Sequence, residues 1–186
     1  MILQSLVQYY ENLLEQGKTE KAGWCRAKVS HAIELNEDGS IKGIISLKQE
    51  EERGKKKVLI SPMLSVPEMV TRSSGISANF LCDNAKYMLG IDENGTNSRL
   101  MECFLAAKEK HLSLLEKGKG MMAKSICAFF ENWNPEKAKE HPIVQKYWEA
   151  LNEGGNLIFS MRGLNAQEDD EIKEIWEEQL NQEGDG

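Results

Sequence analysis

The sequence predicts an α+β fold, with a small and mainly antiparallel sheet near the start of the chain and helices through most of the second half. Two observations predict this class. Apolar and polar residues alternate over residues 28–35 and again over residues 41–47, with the turn sequence NEDGS between them, which is typical of a β-hairpin. Apolar residues then recur at three- and four-residue spacing over residues 98–116 and 122–133, which is typical of amphipathic helices.

An N-terminal helix is predicted over residues 2–16, because apolar residues there follow the helical period up to Gly17. After the hairpin, the run EEERGKKK at residues 50–57 contains no apolar residue and predicts a mobile, exposed loop. A short strand is predicted next, at residues 58–60. Two prolines, Pro62 and Pro67, then limit regular structure, since proline fixes φ and lacks a backbone N–H donor.

The predicted helices of the second half have recognisable starts and ends. Asp83 is a candidate N-cap for a short helix that stops at Gly90. A long helix is expected over residues 98–116. Further on, Asn134-Pro135 and His141-Pro142 each indicate the start of a helix with proline in its first position. Several short helices are therefore expected before the chain returns to a strand.

That last strand is predicted at residues 156–162, and an acidic helix follows it. Residues 166–186 hold nine acidic residues and one basic residue, with acids in the first helical turn, where the helix dipole favours them. Ile172 and Trp176 share one apolar face. We expect residues 1–165 to form one domain, and residues 166–186 to be the start of a connection to the remainder of a longer protein.

Composition places the chain among soluble globular proteins. It has 186 residues, 40% of them hydrophobic and 28% charged, with no apolar run long enough for a membrane span. Its four cysteines are widely spaced, which favours free thiols in the reducing cytoplasm. The net charge is −7, but residues 53–86 hold six basic residues against two acidic ones. This local excess of positive charge is compatible with a polyanionic partner.

Motifs of catalysis and cofactor binding are weak in this sequence. GKGMMAKS, at residues 118–125, lacks the glycine that a phosphate-binding loop needs before its lysine, since Ala123 stands there, and it reads instead as a helix start. DENGTN, from Asp92, lacks the glycine and glutamate of a calcium loop. The three histidines lie on a strand face (His31), on the apolar side of a helix (His111) and before a proline (His141), and structural roles are expected for them. We expect no enzyme activity, no metal and no cofactor.

A resemblance to a known family becomes clear at RSSGISANFLCDNAKYMLGID, which begins at Arg72. Further matching segments follow the same order along the chain: MILQSLVQYYENL, KVSHAIEL, DGSIKGIISL, FFENWNPE and EGGNLIF. Together they resemble the large subunit of the type I-C CRISPR-Cas surveillance complex, Cascade, which is the eighth-family Cas protein of the Dvulg subtype. The family's chains are several times longer, so the resemblance covers only the N-terminal portion.

The resemblance implies a subunit of a crRNA-guided complex that surveys DNA. Guide pairing reads the target in such complexes, while protein reads a short flanking motif, the PAM. The N-terminal domain of the large subunit is then expected to recognise the PAM in duplex DNA, to contact crRNA and the subunit that holds the crRNA 5′ end, and to support a helicase-nuclease recruited in trans. The resemblance implies no nuclease activity. The lack of a membrane span and of a signal-peptide pattern in the sequence predicts a cytoplasmic location and no membrane partner.

Candidate DNA contacts follow from side-chain chemistry rather than from the family. Lysine and arginine suit phosphate contacts, asparagine can both donate to and accept from base edges, and small residues allow the backbone to approach a duplex closely. The candidates for phosphate contact are Lys55, Lys56, Lys57 and Arg72. Those for base-edge or groove contact are Asn79 and Asn84, and those for backbone approach are Ser73, Ser74 and Gly75.

Each candidate also has a structural interpretation. The lysines can belong to a solvated loop, Asn84 can support a helix cap, and Gly75 can serve a turn. Phe80 and Leu81 are expected to anchor the polar stretch to the core rather than to enter the duplex. On the alternative hypothesis, the chain is a protein-docking module that joins neighbouring subunits through FFENW, KYWEAL and the face of Ile172 and Trp176, without direct DNA contact.

Overall fold

The computed structural model describes residues 20–184, so the helix predicted at residues 2–16 lies outside the described residues. The strands are β1 Trp24–Leu35, β2 Ile41–Ser46, β3 Gln49–Arg53, β4 Lys56–Ile60, β5 Met63–Pro67, β6 Cys82–Asp83, β7 Asn156–Met161 and β8 Leu164–Asn165. The α-helices are α1 Ala85–Met88, α2 Ser98–Leu115, α3 Met121–Asn132, α4 Pro142–Lys146, α5 Trp148–Leu151 and α6 Asp170–Gly184. Two 3-10 helices, Pro135–Glu140 and Ala166–Glu168, complete the set. The predicted α+β class is confirmed.

The main sheet is built around the long strand β1. Along one edge, residues 24–28 pair with β5 and residues 31–35 pair with β2, both antiparallel. Along its other edge β1 pairs with β7 in parallel, and β7 in turn pairs with β6 and β8. The predicted hairpin is confirmed as β1 and β2. The single parallel pairing brings residues from the two ends of the described chain together at the centre of the sheet.

The two faces of this sheet are buried in different clusters. Leu157 and Phe159 of β7 point into the larger cluster, together with the apolar faces of α2, α3 and α6. Ile158 lies between them and points to the opposite face, where it packs with Val29 and Val66. This alternation is the two-residue period of a strand that is covered on both sides.

The helices begin and end close to where sequence signals predicted. Asn97 caps α2, its side chain accepting from the Leu100 backbone N–H. Pro135 and Pro142 stand at the first positions of a 3-10 helix and of α4, which confirms both predicted starts. The segment resembling a phosphate loop is confirmed as a helix start, since α3 begins at Met121. Within the described residues, no helix is long and apolar enough to cross a membrane.

The largest error of prediction concerns the run EEERGKKK. It forms most of a second, two-stranded antiparallel sheet, β3 with β4, rather than a mobile loop. Gly54 makes the reversal possible, because its positive φ of 66° is readily adopted only by glycine. Strands β5 and β6 were also missed. Pro62 precedes β5 and Pro67 is its last residue, and neither prevents its pairing with β1, since β5 lies at an edge of the sheet.

The terminal helix α6 packs on the body of the protein. Ile172 is fully buried and Trp176 is 7% exposed, so the apolar face that the docking hypothesis assigned to neighbouring subunits is covered within the chain. The Trp176 indole stacks on Phe80, with ring centroids 5.3 Å apart, and its Nε1 donates to the Gly23 carbonyl over 2.8 Å. Although the division of the chain at residue 166 stays a prediction, these contacts make α6 part of the same hydrophobic core.

Helix α6 also caps the start of α3 through Glu171. The Glu171 carboxylate accepts from the backbone N–H groups of Lys119 and Gly120, at 2.9 and 3.0 Å. We expect Glu171→Ala to lower the free energy of unfolding by about 1 kcal/mol, the usual cost of losing a side-chain cap. Urea unfolding followed by circular dichroism would measure this. Glu174→Ala, on the same helix, is the control, and equal effects of the two substitutions would contradict the capping role.

Candidate nucleic-acid interface

The polar stretch at residues 72–84 is organised by a buried ion pair. Both terminal nitrogens of Arg72 donate to the two carboxylate oxygens of Asp83, each over 2.8 Å. Asp83 is completely buried, and the Arg72 side chain retains 23% of its exposure. The Arg72 guanidinium also lies 4.1 Å from the centre of the Tyr87 ring and donates to the Ser77 carbonyl. The hydrogen bonds to Asp83 raise the pKa of Arg72 above its ordinary value.

These contacts correct the role predicted for Arg72. A guanidinium that is paired with a buried carboxylate and stacked on an aromatic ring has little capacity left for a phosphate. Releasing it for DNA would leave Asp83 buried without its counter-charge, which is strongly unfavourable. Arg72 is therefore a positioning residue, since it holds the two ends of the polar stretch together.

The helix cap predicted at Asp83 belongs to the next residue. The Asn84 side chain accepts from the Lys86 backbone N–H, so Asn84 is the N-cap of α1. Asp83 instead accepts from the backbone N–H groups of Asn79 and Asn84, at 3.1 and 2.9 Å. Because the amide oxygen of Asn84 is used in the cap, the structural interpretation of Asn84 is confirmed. Its predicted contact with a base edge stays a prediction.

Asn79 is an internal residue in this structure. It is 1% exposed, and its Oδ1 accepts from the Val70 backbone N–H over 2.8 Å. The predicted contact between Asn79 and a base edge does not fit this position, because the side chain has almost no surface available. Asn79→Ala would remove the hydrogen bond to the Val70 backbone N–H and disturb the loop. A change in PAM preference in this variant would therefore not show that Asn79 contacts a base.

The predicted anchor of the polar stretch is confirmed. Phe80 and Leu81 are both fully buried. Leu81 has a φ of 67°, a rare conformation for a residue with a side chain, and its backbone N–H donates to Nε2 of His111 over 2.9 Å. The other ring nitrogen, Nδ1, lies 2.7 Å from the Ala107 carbonyl and must donate to it. His111 is thus a neutral, structural histidine.

Residues 73–75 form the exposed part of the stretch. Ser73, Ser74 and Gly75 are all exposed, and the space beside Gly75 is open. Arg99 donates to the Ser74 carbonyl over 3.2 Å, which turns this oxygen toward α2. In a planar trans peptide the next N–H points the opposite way, so the Gly75 N–H is directed away from α2. Further along, Lys110 donates to the Ala78 carbonyl over 3.1 Å.

These contacts leave one side of the loop suited to binding an anion. Arg99 and Lys110 of α2 donate to two loop carbonyls, while the serine hydroxyl groups and the Gly75 N–H remain at the surface. A loop that presents N–H donors near cations is suited to phosphate oxygens. This geometry fits the predicted use of Ser73, Ser74 and Gly75 in backbone approach, which stays a prediction.

The three candidate lysines lie at and beside the β3–β4 turn. Lys55, Lys56 and Lys57 are all exposed. In the described part of the chain, no hydrogen bond or ion pair joins this hairpin to residues 72–84. The basic hairpin and the polar stretch are therefore two separate surfaces. The register also sets Glu52 opposite Lys57 and Glu51 opposite Val58, which reduces the local positive charge below that counted over residues 53–86.

Sequence reasoning missed the residues that support the loop from outside it. Arg99 and Lys110 contact loop carbonyls from α2, and Tyr87 stacks under Arg72 while its hydroxyl accepts from the Ser77 N–H. Burial lowers the pKa of Lys110. No signal in sequence spacing could identify these partners, because each contact joins residues that are distant in the chain or pointed inward by the fold.

Other reactive side chains have ordinary structural surroundings. The four cysteines are free thiols, as predicted, and burial raises the pKa of Cys127 to about 11. Burial also lowers the pKa values of His31 and His141. Among the described residues, no group of three or more histidine, cysteine or acidic side chains is placed to hold a metal ion.

Comparison with protein families gives one finding. Residues 6–186 match the model of the family described as CRISPR-associated protein (Cas_Csd1). A search of curated proteins gives no match. The family match spans nearly the whole chain, and it therefore includes the polar stretch, the hairpin and α6.

Proposed function

The chain belongs to the CRISPR-associated Cas_Csd1 family, and from this premise we propose that it is the N-terminal portion of the large subunit of a type I-C Cascade complex. In this role it recognises the PAM in duplex DNA and helps to start crRNA-guided binding of the target, in antiviral defence. Its other partners are crRNA, the subunit at the crRNA 5′ end, and a helicase-nuclease recruited in trans. The proposed role is one of binding, without catalysis, in the cytoplasm.

The observation that carries this proposal is the exposed loop at residues 73–75. The Arg72–Asp83 pair and the fully buried Phe80 fix its two ends, so the loop is pre-organised rather than mobile. Pre-organisation lowers the entropy lost on binding. The loop presents the Gly75 N–H and two hydroxyl groups where a duplex could approach, which supports contact with the sugar-phosphate backbone beside the PAM.

A docking role without DNA contact receives less support. Phe129, Phe130 and Ile172 are almost fully buried within the chain, and Trp176 stacks on Phe80. Three of the six aromatic side chains that this hypothesis assigned to neighbouring subunits are therefore used inside the protein. Trp133, Tyr147 and Trp148 remain half-buried and could still contact a partner subunit in addition to the proposed DNA contact.

The glycine at residue 75 offers a direct test of the proposed contact. A Cβ atom at this position would meet no neighbouring atom, so Gly75→Val should leave the stability of the protein nearly unchanged. If duplex DNA lies against this backbone, two added methyl groups would block the approach, and we expect at least a tenfold loss of affinity for a PAM duplex. Binding is measured with the complete complex that carries the full-length subunit.

Gly43 supplies a matched control. It lies on β2, where a Cβ atom would also meet open space, and Gly43→Val makes the same chemical change away from the loop. We expect Gly43→Val to bind PAM duplex as the parent does. Parental binding by both variants would contradict the proposed contact, and equal losses in both would point to a general effect of valine on assembly.

A further inference from the structure

The β3–β4 hairpin is separate from the main sheet and unusually exposed. All five residues of β3 are exposed, and Val58 and Ile60 are the only half-buried residues of β4. Leu59 keeps 64% of its exposure. A two-stranded ribbon with so little buried surface contributes little to the stability of the core. Its conformation places charged side chains away from the body of the protein.

Charge is divided along this ribbon. Glu50, Glu51 and Glu52 lie on β3, while the residues around the turn are basic. The register places Arg53 directly opposite Lys56, with Lys55 in the turn beside them. Arg53 also forms an exposed ion pair with Glu51, with the closest nitrogen and oxygen 4.0 Å apart. The tip is therefore a compact group of cations, and acids begin immediately behind it.

The opposed pair of Arg53 and Lys56 is the informative feature. Like charges at directly opposite positions of an antiparallel pair destabilise it, because their Cβ atoms are only about 5 Å apart. An anion between the two side chains would convert this repulsion into two charge-assisted hydrogen bonds. The arrangement thus has an unfavourable interaction in the isolated chain that a suitable ligand removes.

We propose that the hairpin tip binds a phosphodiester group of a nucleic-acid backbone, which bridges Arg53 and Lys56, with Lys55 adding to the positive field. The glutamates of β3 repel the polyanion from the base of the ribbon, so that only the tip is used. This inference rests on the proposed function and extends it, since it assigns the hairpin a phosphate site with an acidic boundary that limits non-specific binding.

The partner is a phosphate rather than a base because of the chemistry at the tip. The three side chains are donors only, and two of them are long and flexible lysines. Such groups add affinity and salt dependence without reading sequence. The phosphate can belong to the target duplex or to crRNA, and both sources present the same group to the tip.

Neutral substitutions at the tip test the site. In the complete complex, Arg53→Gln with Lys56→Gln should lower the affinity for PAM duplex at low salt and reduce the slope of log K against log salt by about 1, since the contact with one bridging phosphate is lost. Discrimination between PAM and mutant-PAM duplexes should not change. The same variant in isolated form should unfold at an equal or higher urea concentration than the parent, because the opposed charges have been removed.

The acidic boundary is tested by removing negative charge from β3. Glu50→Gln, Glu51→Gln and Glu52→Gln together should strengthen binding to duplexes without a PAM and steepen their salt dependence, while PAM binding gains less. If this variant binds such duplexes as the parent does, the boundary is wrong. Lys42→Gln is the control for the tip variant. Lys42 lies on β2 and pairs with Glu34, so this change removes a surface cation away from the tip.

Two measurements on the tip variant, of duplex binding and of assembly with crRNA, distinguish the source of the phosphate. A reduced salt slope in duplex binding assigns the tip to the target DNA, and a reduced slope in assembly with crRNA assigns it to the guide. Unchanged slopes in both would overturn the phosphate site. That result is distinguishable from failure of the proposed function, in which the parent complex itself would not prefer PAM duplex and Gly75→Val would have no effect on binding.

Discussion

Replacing Asp83 by Asn is expected to be the most damaging single change in the polar stretch, lowering the free energy of unfolding by about 3 kcal/mol. Removing one partner of a buried pair leaves the other charge without compensation. The Arg72 guanidinium would lose its counter-charge while staying mostly buried, and one asparagine oxygen cannot replace two carboxylate oxygens. Urea unfolding of the chain, followed by circular dichroism and fitted to two states, would measure the loss.

An exposed ion pair provides the matched control. Lys48 and Glu153 lie 3.0 Å apart, and the Glu153 side chain is 60% exposed. Glu153→Gln should cost less than about 1 kcal/mol, since exposed pairs contribute little. If Asp83→Asn costs no more than this control, the pair does not organise the loop.

The same substitution links stability to binding. Asp83 also accepts from the backbone N–H groups of Asn79 and Asn84, so its loss should release both ends of the loop at residues 73–75. We expect Asp83→Asn to weaken PAM binding in the complete complex at a temperature where the variant is still folded. Arg72→Met should weaken binding in the same way. Because Arg72 positions the loop and does not itself contact a phosphate, Arg72→Met should leave the slope of log K against log salt near the parental value. A lost phosphate contact would instead reduce that slope.

The helices were predictable from sequence because their signals are local. Apolar residues at the helical period, together with Asn97, Pro135 and Pro142 at helix starts, indicate boundaries within a few residues. The sheet was predictable only in part. Nothing near residues 156–161 indicates that this strand pairs in parallel with β1, since that pairing depends on how the intervening helices pack.

The candidate site was less predictable than the fold, for an electrostatic reason. In sequence, Arg72, Asp83 and Asn79 look like residues of a solvated loop, because polar side chains are usually exposed. The structure buries Asp83 and Asn79. Asp83 accepts from the Asn79 backbone N–H and pairs with Arg72, while the Asn79 side chain accepts from the Val70 backbone N–H. A buried polar network is specified by three-dimensional partners, and single-sequence patterns do not contain that information.

The charge of the hairpin shows the same limitation. Counting from Arg53 made the region appear strongly basic, but the count left out the glutamates of β3, one of which, Glu52, lies directly opposite Lys57. The run EEERGKKK lacks the apolar alternation by which strands are recognised, since neither face of the ribbon is buried enough to require it. Its strand structure follows from the turn at Gly54 and from backbone pairing.

His111 is expected to make the stability of the protein strongly dependent on pH between about 6.5 and 4. Complete burial lowers the pKa of His111 to about 4 in the folded protein, whereas an ordinary histidine has a pKa near 6.5. The unfolded chain therefore binds a proton in this range that the folded chain does not bind. Stability is fully present above pH 6.5 and is lost as the pH falls toward 4, by about 3 kcal/mol from this group.

The substitution His111→Phe separates this titration from that of other groups. Phenylalanine can occupy the ring position between Phe80 and Phe130, whose centroids lie 5.2 and 4.5 Å from that of His111. It cannot accept from the Leu81 N–H, and a buried donor without a partner should cost about 1–3 kcal/mol at pH 7. Urea unfolding at pH 5 and pH 7 should then show a smaller difference for the variant than for the parent.

His141→Asn is the control for this experiment, because asparagine can keep the N-cap of α4 while removing a histidine that is partly exposed. The control should retain most of the parental pH dependence, even though burial also lowers the pKa of His141. If His111→Phe and the parent lose the same stability between pH 7 and pH 5, the buried ring does not control the acid response. If they differ as expected, the backbone of Leu81, and with it the anchor of the polar stretch, depends on a histidine that must remain neutral.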